Sequence, residues 1–78
     1  MPVVLRMRGH RFEFYASDRD EPPHIHVRKD EKHAKFWLEM AVILEFSYGY
    51  RAHELNNVRK MVEGHREELL EAWHVFFD

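Results

Sequence analysis

Seventy-eight residues, no cysteine and a formal net charge of −2 describe one small domain and exclude disulfides, cysteine-rich zinc sites and thiol catalysis. So short a chain buries only about 60% of its unfolded surface, which limits it to two layers around one core and makes a homodimer that hides more apolar surface advantageous. Residues 1–36 hold eight Lys/Arg against six Asp/Glu and residues 37–78 hold four against eight, so a strongly basic nucleic-acid binder is excluded while a local basic face is not.

The opening Met-Pro-Val-Val-Leu-Arg-Met-Arg meets charge too early for a secretory signal. No apolar run in the sequence approaches the ~18–20 residues of a membrane span. The expectation is a cytoplasmic protein with no membrane association. Val3 to Ala16 reads as a β-hairpin turning at Gly9-His10, where a leading glycine suits a type II′ loop. That register sets Met7, Leu5 and Val3 against Phe12, Phe14 and Ala16 on an apolar face. Arg8, Arg6 and Val4 then lie against Arg11, Glu13 and Tyr15 on the other.

Residues 17–23, Ser-Asp-Arg-Asp-Glu-Pro-Pro, break the pattern and predict a loop. A second hairpin follows, His24–Lys29 and Ala34–Glu39, with its loop at Asp30–His33. Val27 then faces Phe36 and Ile25 faces Leu38. On the opposite side His24 faces Glu39, His26 faces Trp37 and Arg28 faces Lys35. Residues 41–47 predict a short helix before Gly49, with a fifth strand as the competing choice.

From Ala52 the period is helical. Leu55, Val62, Leu69 and Phe76 recur every seven residues, flanked by Val58, His65 and Ala72 and widened by Met61, Leu70, Trp73 and Phe77. Unbroken, residues 52–77 would span roughly 39 Å. Gly64 is the predicted place of a kink or break, since a mid-helix glycine costs about 1 kcal/mol relative to alanine. The expected fold is α+β: two antiparallel hairpins form a four-stranded sheet, and the C-terminal helix covers its apolar face. The other sheet face is left to water or to a partner.

That second face carries Arg6, Arg8, Arg11, Arg28 and Lys35 against Glu13 and Glu39, with Tyr15, Trp37, His24 and His26 among them. Basic side chains interleaved with aromatics suit single-stranded RNA. The plainer alternative is amphipathic side chains covering a sheet. His24 and His26 project from one side of one strand. Beside Arg28 they form a candidate acid–base pair for metal-independent RNA cleavage. As a less favoured alternative they are half of a metal site completed by Glu39, with Asp20, His33 and His10 as further candidates, since His-x-His alone is a weak metal motif. Histidines bonded to Glu39 or stacked on Trp37 are the plainer reading. No cofactor is required by the first reading. The acidic loop Asp18, Asp20 and Glu21 lacks calcium-site spacing and reads as a solvated turn. His65 reads as a core or helix-break residue.

Pro22-Pro23-His24-Ile25-His26-Val27, Ala34-Lys35-Phe36-Trp37-Leu38 and Glu67-Glu68-Leu69-Leu70-Glu71-Ala72-Trp73, with Gly9, Gly49 and Glu54-Leu55-Asn56, carry a family resemblance. From Met1 to about Phe77 the chain resembles the small prokaryotic proteins grouped as "domain of unknown function 4160". The resemblance implies a partner, a small protein encoded by a neighbouring gene, in a pair that looks like a toxin–antitoxin module. It assigns no residue a role, though it places His24 and His26 within the family pattern. Two departures stand out. Arg51 replaces the serine that would cap the helix, and Asp30-Glu31-Lys32-His33 replaces a more glycine-rich turn.

Three functions follow as expectations. The first is an RNA-acting component of a toxin–antitoxin-like module, with His24, His26 and Arg28 catalytic and Arg6, Arg8, Arg11, Lys35 and Trp37 binding. The second is a non-catalytic antitoxin-like or regulatory module that docks another protein. The third is a metal-binding protein using His24, His26 and Glu39.

Overall fold

The computed structural model describes residues 3–77, and places them in an α+β fold. Five strands run β1 (Val3–Met7), β2 (His10–Glu13), β3 (His24–Lys29), β4 (Lys32–Trp37) and β5 (Ile43–Tyr48), with a 3-10 turn at Ala16–Asp20 between β2 and β3. Two helices, α1 (Ala52–Gly64) and α2 (Arg66–Phe77), complete the chain. The sheet is an antiparallel meander in the order β1-β2-β3-β4-β5.

Both predicted hairpins form, each with its register displaced by two residues. Met7 pairs with His10 and Leu5 with Phe12, rather than with Phe12 and Phe14. The loop is Arg8-Gly9, at φ 52° and 84°, the two positive values that a type I′ loop needs to match strand twist. Val4 is the extra residue of a bulge, so Val3 pairs with Glu13 and not with Ala16. In the second hairpin the loop shrinks to Asp30-Glu31, Asp30 taking φ 55°. Lys29 then pairs with Lys32 and Ile25 with Phe36. A slip of two keeps the side chains of Leu5–Glu13 and His24–Trp37 on their predicted faces, whereas the bulge moves Val3 to the face of Glu13, and the slip changes who meets whom. His24 lies across from Trp37, His26 from Lys35 and Arg28 from His33. Glu39 lies beyond the end of β4, exposed, and is not the residue across from His24.

The sheet has five strands, not four, because residues 43–48 form a strand where a short helix was expected. Lys35 pairs with Phe46 but Phe36 pairs with Leu44, so Glu45 is bulged out of register. The bulge sends Ile43 and Phe46 to one face and Leu44 to the other, which erases the period-2 signal that marks a strand.

Phe12, Ile25, Val27, Ala34 and Phe36 line the buried face of the sheet, and Val58, Val62, Leu69 and Trp73 close over it from the helices. The predicted helix is two helices. His65, at φ −116° and ψ 16°, ends α1, and its Nδ1–H donates to the Met61 carbonyl at 2.9 Å. The break rephases the apolar stripe. Leu69 and Trp73 are buried in α2, whereas Phe76, expected on the stripe, is 41% exposed. Arg66 Nε donates to the Leu38 carbonyl at 2.7 Å and anchors the start of α2 to the end of β4. At the other helix start, Glu54 Oε1 accepts the Arg51 backbone N–H at 3.0 Å, half of the cap that the missing serine would have shared. Among the described residues no helix is long and apolar enough to cross a membrane.

Candidate functional site

Residues directly opposite in an antiparallel pair share a face. The observed registers therefore lay transverse rows across the sheet face opposite the Phe12–Ile25–Phe36 core, with His24 at one end also meeting the Trp73 ring of α2 at 5.0 Å. One row crosses all five strands as Arg6, Arg11, Arg28, His33 and Tyr48. The next reads Glu13, His26, Lys35 and Phe46, and a third reads His24, Trp37 and Ile43. Three arginines thus occupy directly opposed positions on adjacent strands, with no acidic residue between them in the row.

Their compensation comes from below and is incomplete. Glu13 Oε1 lies 3.4 Å from Arg11 Nε. Arg28 Nη1 donates to the Tyr15 hydroxyl at 2.9 Å, a bond that holds the guanidinium pKa above its ordinary value, while burial raises that of the Tyr15 phenol. Arg28 Nε is buried without a hydrogen-bond partner. Burial, and then Arg28, lower the pKa of His33.

Not every residue expected on this face stands free on it. Arg6 is exposed in the row, whereas Arg8 sits in the β1–β2 loop, off the row. Lys35 is buried: its Nζ donates to Glu21 Oε1 at 2.6 Å and lies 4.6 Å from the Trp37 ring centroid. Trp37 is half-buried beneath that ammonium and beside His24, so its ring is already occupied. The open aromatic surface belongs instead to β5. Tyr48 is 67% exposed and its ring lies 5.4 Å from that of Phe46, which meets His33 edge-on at 5.1 Å. These two residues were missed because their segment was expected to be helical.

The histidine pair lies beneath the face. His24 has no exposed surface and His26 is almost covered. The 3-10 turn closes over them and delivers Asp18, which is buried rather than part of the expected solvated turn. Asp18 Oδ2 accepts the Tyr15 backbone N–H at 2.9 Å, fixing the turn, and stands 3.1 Å from His26 Nε2 and 3.0 Å from His24 Nε2. A carboxylate three residues after the last residue of an extended segment is the local signal for such a turn.

Each imidazole has a definable role. His24 Nδ1 lies 2.9 Å from the Pro22 carbonyl. A carbonyl only accepts, so Nδ1 carries the hydrogen. His24 Nε2 is then left facing Asp18 at bonding distance but in the wrong direction, and has no hydrogen-bond partner. Burial pushes the His26 pKa down to about 4 against the pull of Asp18. Neutral His26 donates from Nε2 to Asp18, and its Nδ1 meets His33 Nε2 at 3.0 Å. Of the further ligand candidates, His33 joins this cluster. His10 does not: its Nδ1 bonds the Tyr50 hydroxyl at 2.9 Å elsewhere in the fold. Chemically, the open row suits a polyanion, and the covered cluster suits a proton or a cation.

Comparison with curated proteins and with solved structures found no match. A family model described as "Domain of unknown function (DUF4160)" matches residues 9–74, which span Arg11, Arg28, the Asp18–His24–His26 cluster, all of β5 and most of α2. That is well over half of the chain, and the protein belongs to the DUF4160 family.

Proposed function

We propose that this protein binds single-stranded RNA across its open sheet face, as the RNA-acting component of a toxin–antitoxin-like pair. The observation that carries this reading is the Arg6–Arg11–Arg28 row. Like charges placed directly opposite one another weaken a sheet. A phosphate backbone lying along the row would neutralise them, with release of counterions. At the far end of the same row Tyr48, with Phe46 beside it, offers exposed rings on which bases stack without sequence preference. The reading is binding rather than cleavage: His24 would reach a ribose hydroxyl only if the turn Ala16–Asp20 swung away.

Fluorescence anisotropy with a labelled single-stranded RNA, and with a duplex of the same length, tests it. The single strand should bind more tightly, and Tyr48→Ala should weaken it. Absence of binding, or equal binding of the duplex, contradicts the reading. The toxin–antitoxin component has its own test in growth arrest on induced expression, lost in Arg6→Gln/Arg11→Gln at matched protein levels.

A second reading, docking of a small partner protein, is supported by the β5 edge. Ile43 is 54% exposed at one end of this edge strand, three residues after the fully open Met40, and Tyr48 is 67% exposed at the other end, on a strand whose outer hydrogen-bonding groups are free to pair. A stable heterodimer with the neighbouring gene's product, protecting β5 amides from exchange and leaving RNA unbound, would favour it.

A further inference from the structure

The geometry points to a binding site for a first-row divalent cation, Zn²⁺ by its donor set, held by Asp18 Oδ2, His24 Nε2 and His26 Nε2. The inference is independent of the RNA reading. It differs in its carboxylate from the set expected from sequence, because Glu39 lies beyond β4 and Asp18 is the acid delivered to the histidines.

Three features converge. The three donor atoms lie within 4.8 Å of one another, and the two that face Asp18 stand 3.0 and 3.1 Å from its Oδ2. Ligands at 2.0–2.2 Å around a tetrahedral zinc are about 3.4 Å apart, so a small opening of the cluster admits the ion. His24 Nε2 is fully buried without a hydrogen-bond partner, and in the neutral tautomer that donates Nδ1–H to the Pro22 carbonyl it presents a lone pair. A buried acceptor left unpaired costs about 1–3 kcal/mol, and a cation is what this one lacks. The Asp18 oxygen lies off the direction of that lone pair, as a neighbouring ligand in one coordination shell does.

The surroundings match those of metal-binding imidazoles, which donate their second N–H to a fixed acceptor. His24 Nδ1–H already does so to the Pro22 carbonyl. His26 does so after a tautomer change. Its hydrogen moves from Nε2 to Nδ1 and is accepted by His33 Nε2, 3.0 Å away, while the hydrogen that His33 Nε2 had donated in that bond moves to His33 Nδ1. No net proton is lost from the imidazoles. Two histidines and one carboxylate leave a coordination position for water, and the ion would tie the 3-10 turn to β3.

Chelator-treated protein titrated with Zn²⁺ against a chromophoric competitor, with long-range ¹H–¹⁵N spectra of the imidazoles, tests the site. One Zn²⁺ per chain is expected, with the Nε2 resonances of His24 and His26 moving and those of His53 and His74 unmoved. Asp18→Asn should weaken binding at least about tenfold, and Glu39→Gln should leave it unchanged. The inference falls if the shifts appear on other imidazoles, if His24 Nε2 keeps a bound hydrogen that Zn²⁺ does not displace, or if Asp18→Asn binds as the wild type does. Should Asp18→Asn fail to fold, the wild-type spectra decide alone.

Discussion

Arg28 stands directly across from Arg11, and Arg11 in turn directly across from Arg6. Opposed like charges on one sheet face are mutually destabilising. Arg6 is exposed, so its replacement leaves no buried group unpaired. Arg6→Gln should therefore raise stability by a few tenths to about 1 kcal/mol at low salt. The gain should shrink as salt screens the row. Urea unfolding at two ionic strengths measures both effects, and a destabilised variant would contradict the row's energetics.

The Tyr50 hydroxyl is bonded to His10 Nδ1 at 2.9 Å, and burial pushes the phenol up to about 12. The unfolded chain loses this proton near pH 10, before the folded chain does. Stability contributed by the buried neutral phenol is thus complete below pH 10 and lost as pH rises towards 12, on the order of 2 kcal/mol in all. Tyr50→Phe should flatten this alkaline limb. At pH 7 it should cost about 1 kcal/mol through the unpaired His10. Thermal unfolding midpoints between pH 8 and 12 decide.

Two glycines should respond oppositely to alanine. A Cβ on Gly64 would meet nothing within 4 Å, and the residue closes α1. Gly64→Ala should gain roughly 0.5–1 kcal/mol. Gly49 has φ 80°, and its Cβ would lie 3.3 Å from Lys32 Cα and 3.2 Å from Lys32 Cγ. Gly49→Ala should lose at least about 1 kcal/mol. Guanidinium unfolding of the pair checks the contrast.

What the sequence made legible follows from what its periods encode. Alternation in Leu5–Glu13 and His24–Trp37 fixed the faces of both hairpins, and a two-residue slip of each register left those faces intact, while the Val4 bulge turned Val3 to the other face. The slip of the first hairpin was invisible because it depends on Arg8 accepting positive φ, which arginine does not advertise, whereas Asp30 in the second is of a type enriched there. β5 was illegible for another reason: the bulge at Glu45 puts apolar residues on both faces. Within the candidate site, His24 and His26 were evident from their spacing. Asp18 was not, since its place depends on how the 3-10 turn folds back over β3. The arginine row needed the β1–β2 and β2–β3 registers together.

The most direct test of the central claim is the salt dependence of binding to a single-stranded RNA of about 12 nucleotides. Wild type should be compared with Arg6→Gln/Arg11→Gln. Each phosphate neutralised on a single strand contributes about −0.7 to the slope of log K against log salt. The account predicts wild-type binding whose slope is shallower by about 1.4 in the double variant, with the fold unchanged by circular dichroism. A wild type that does not bind, or two proteins with the same slope, would contradict it.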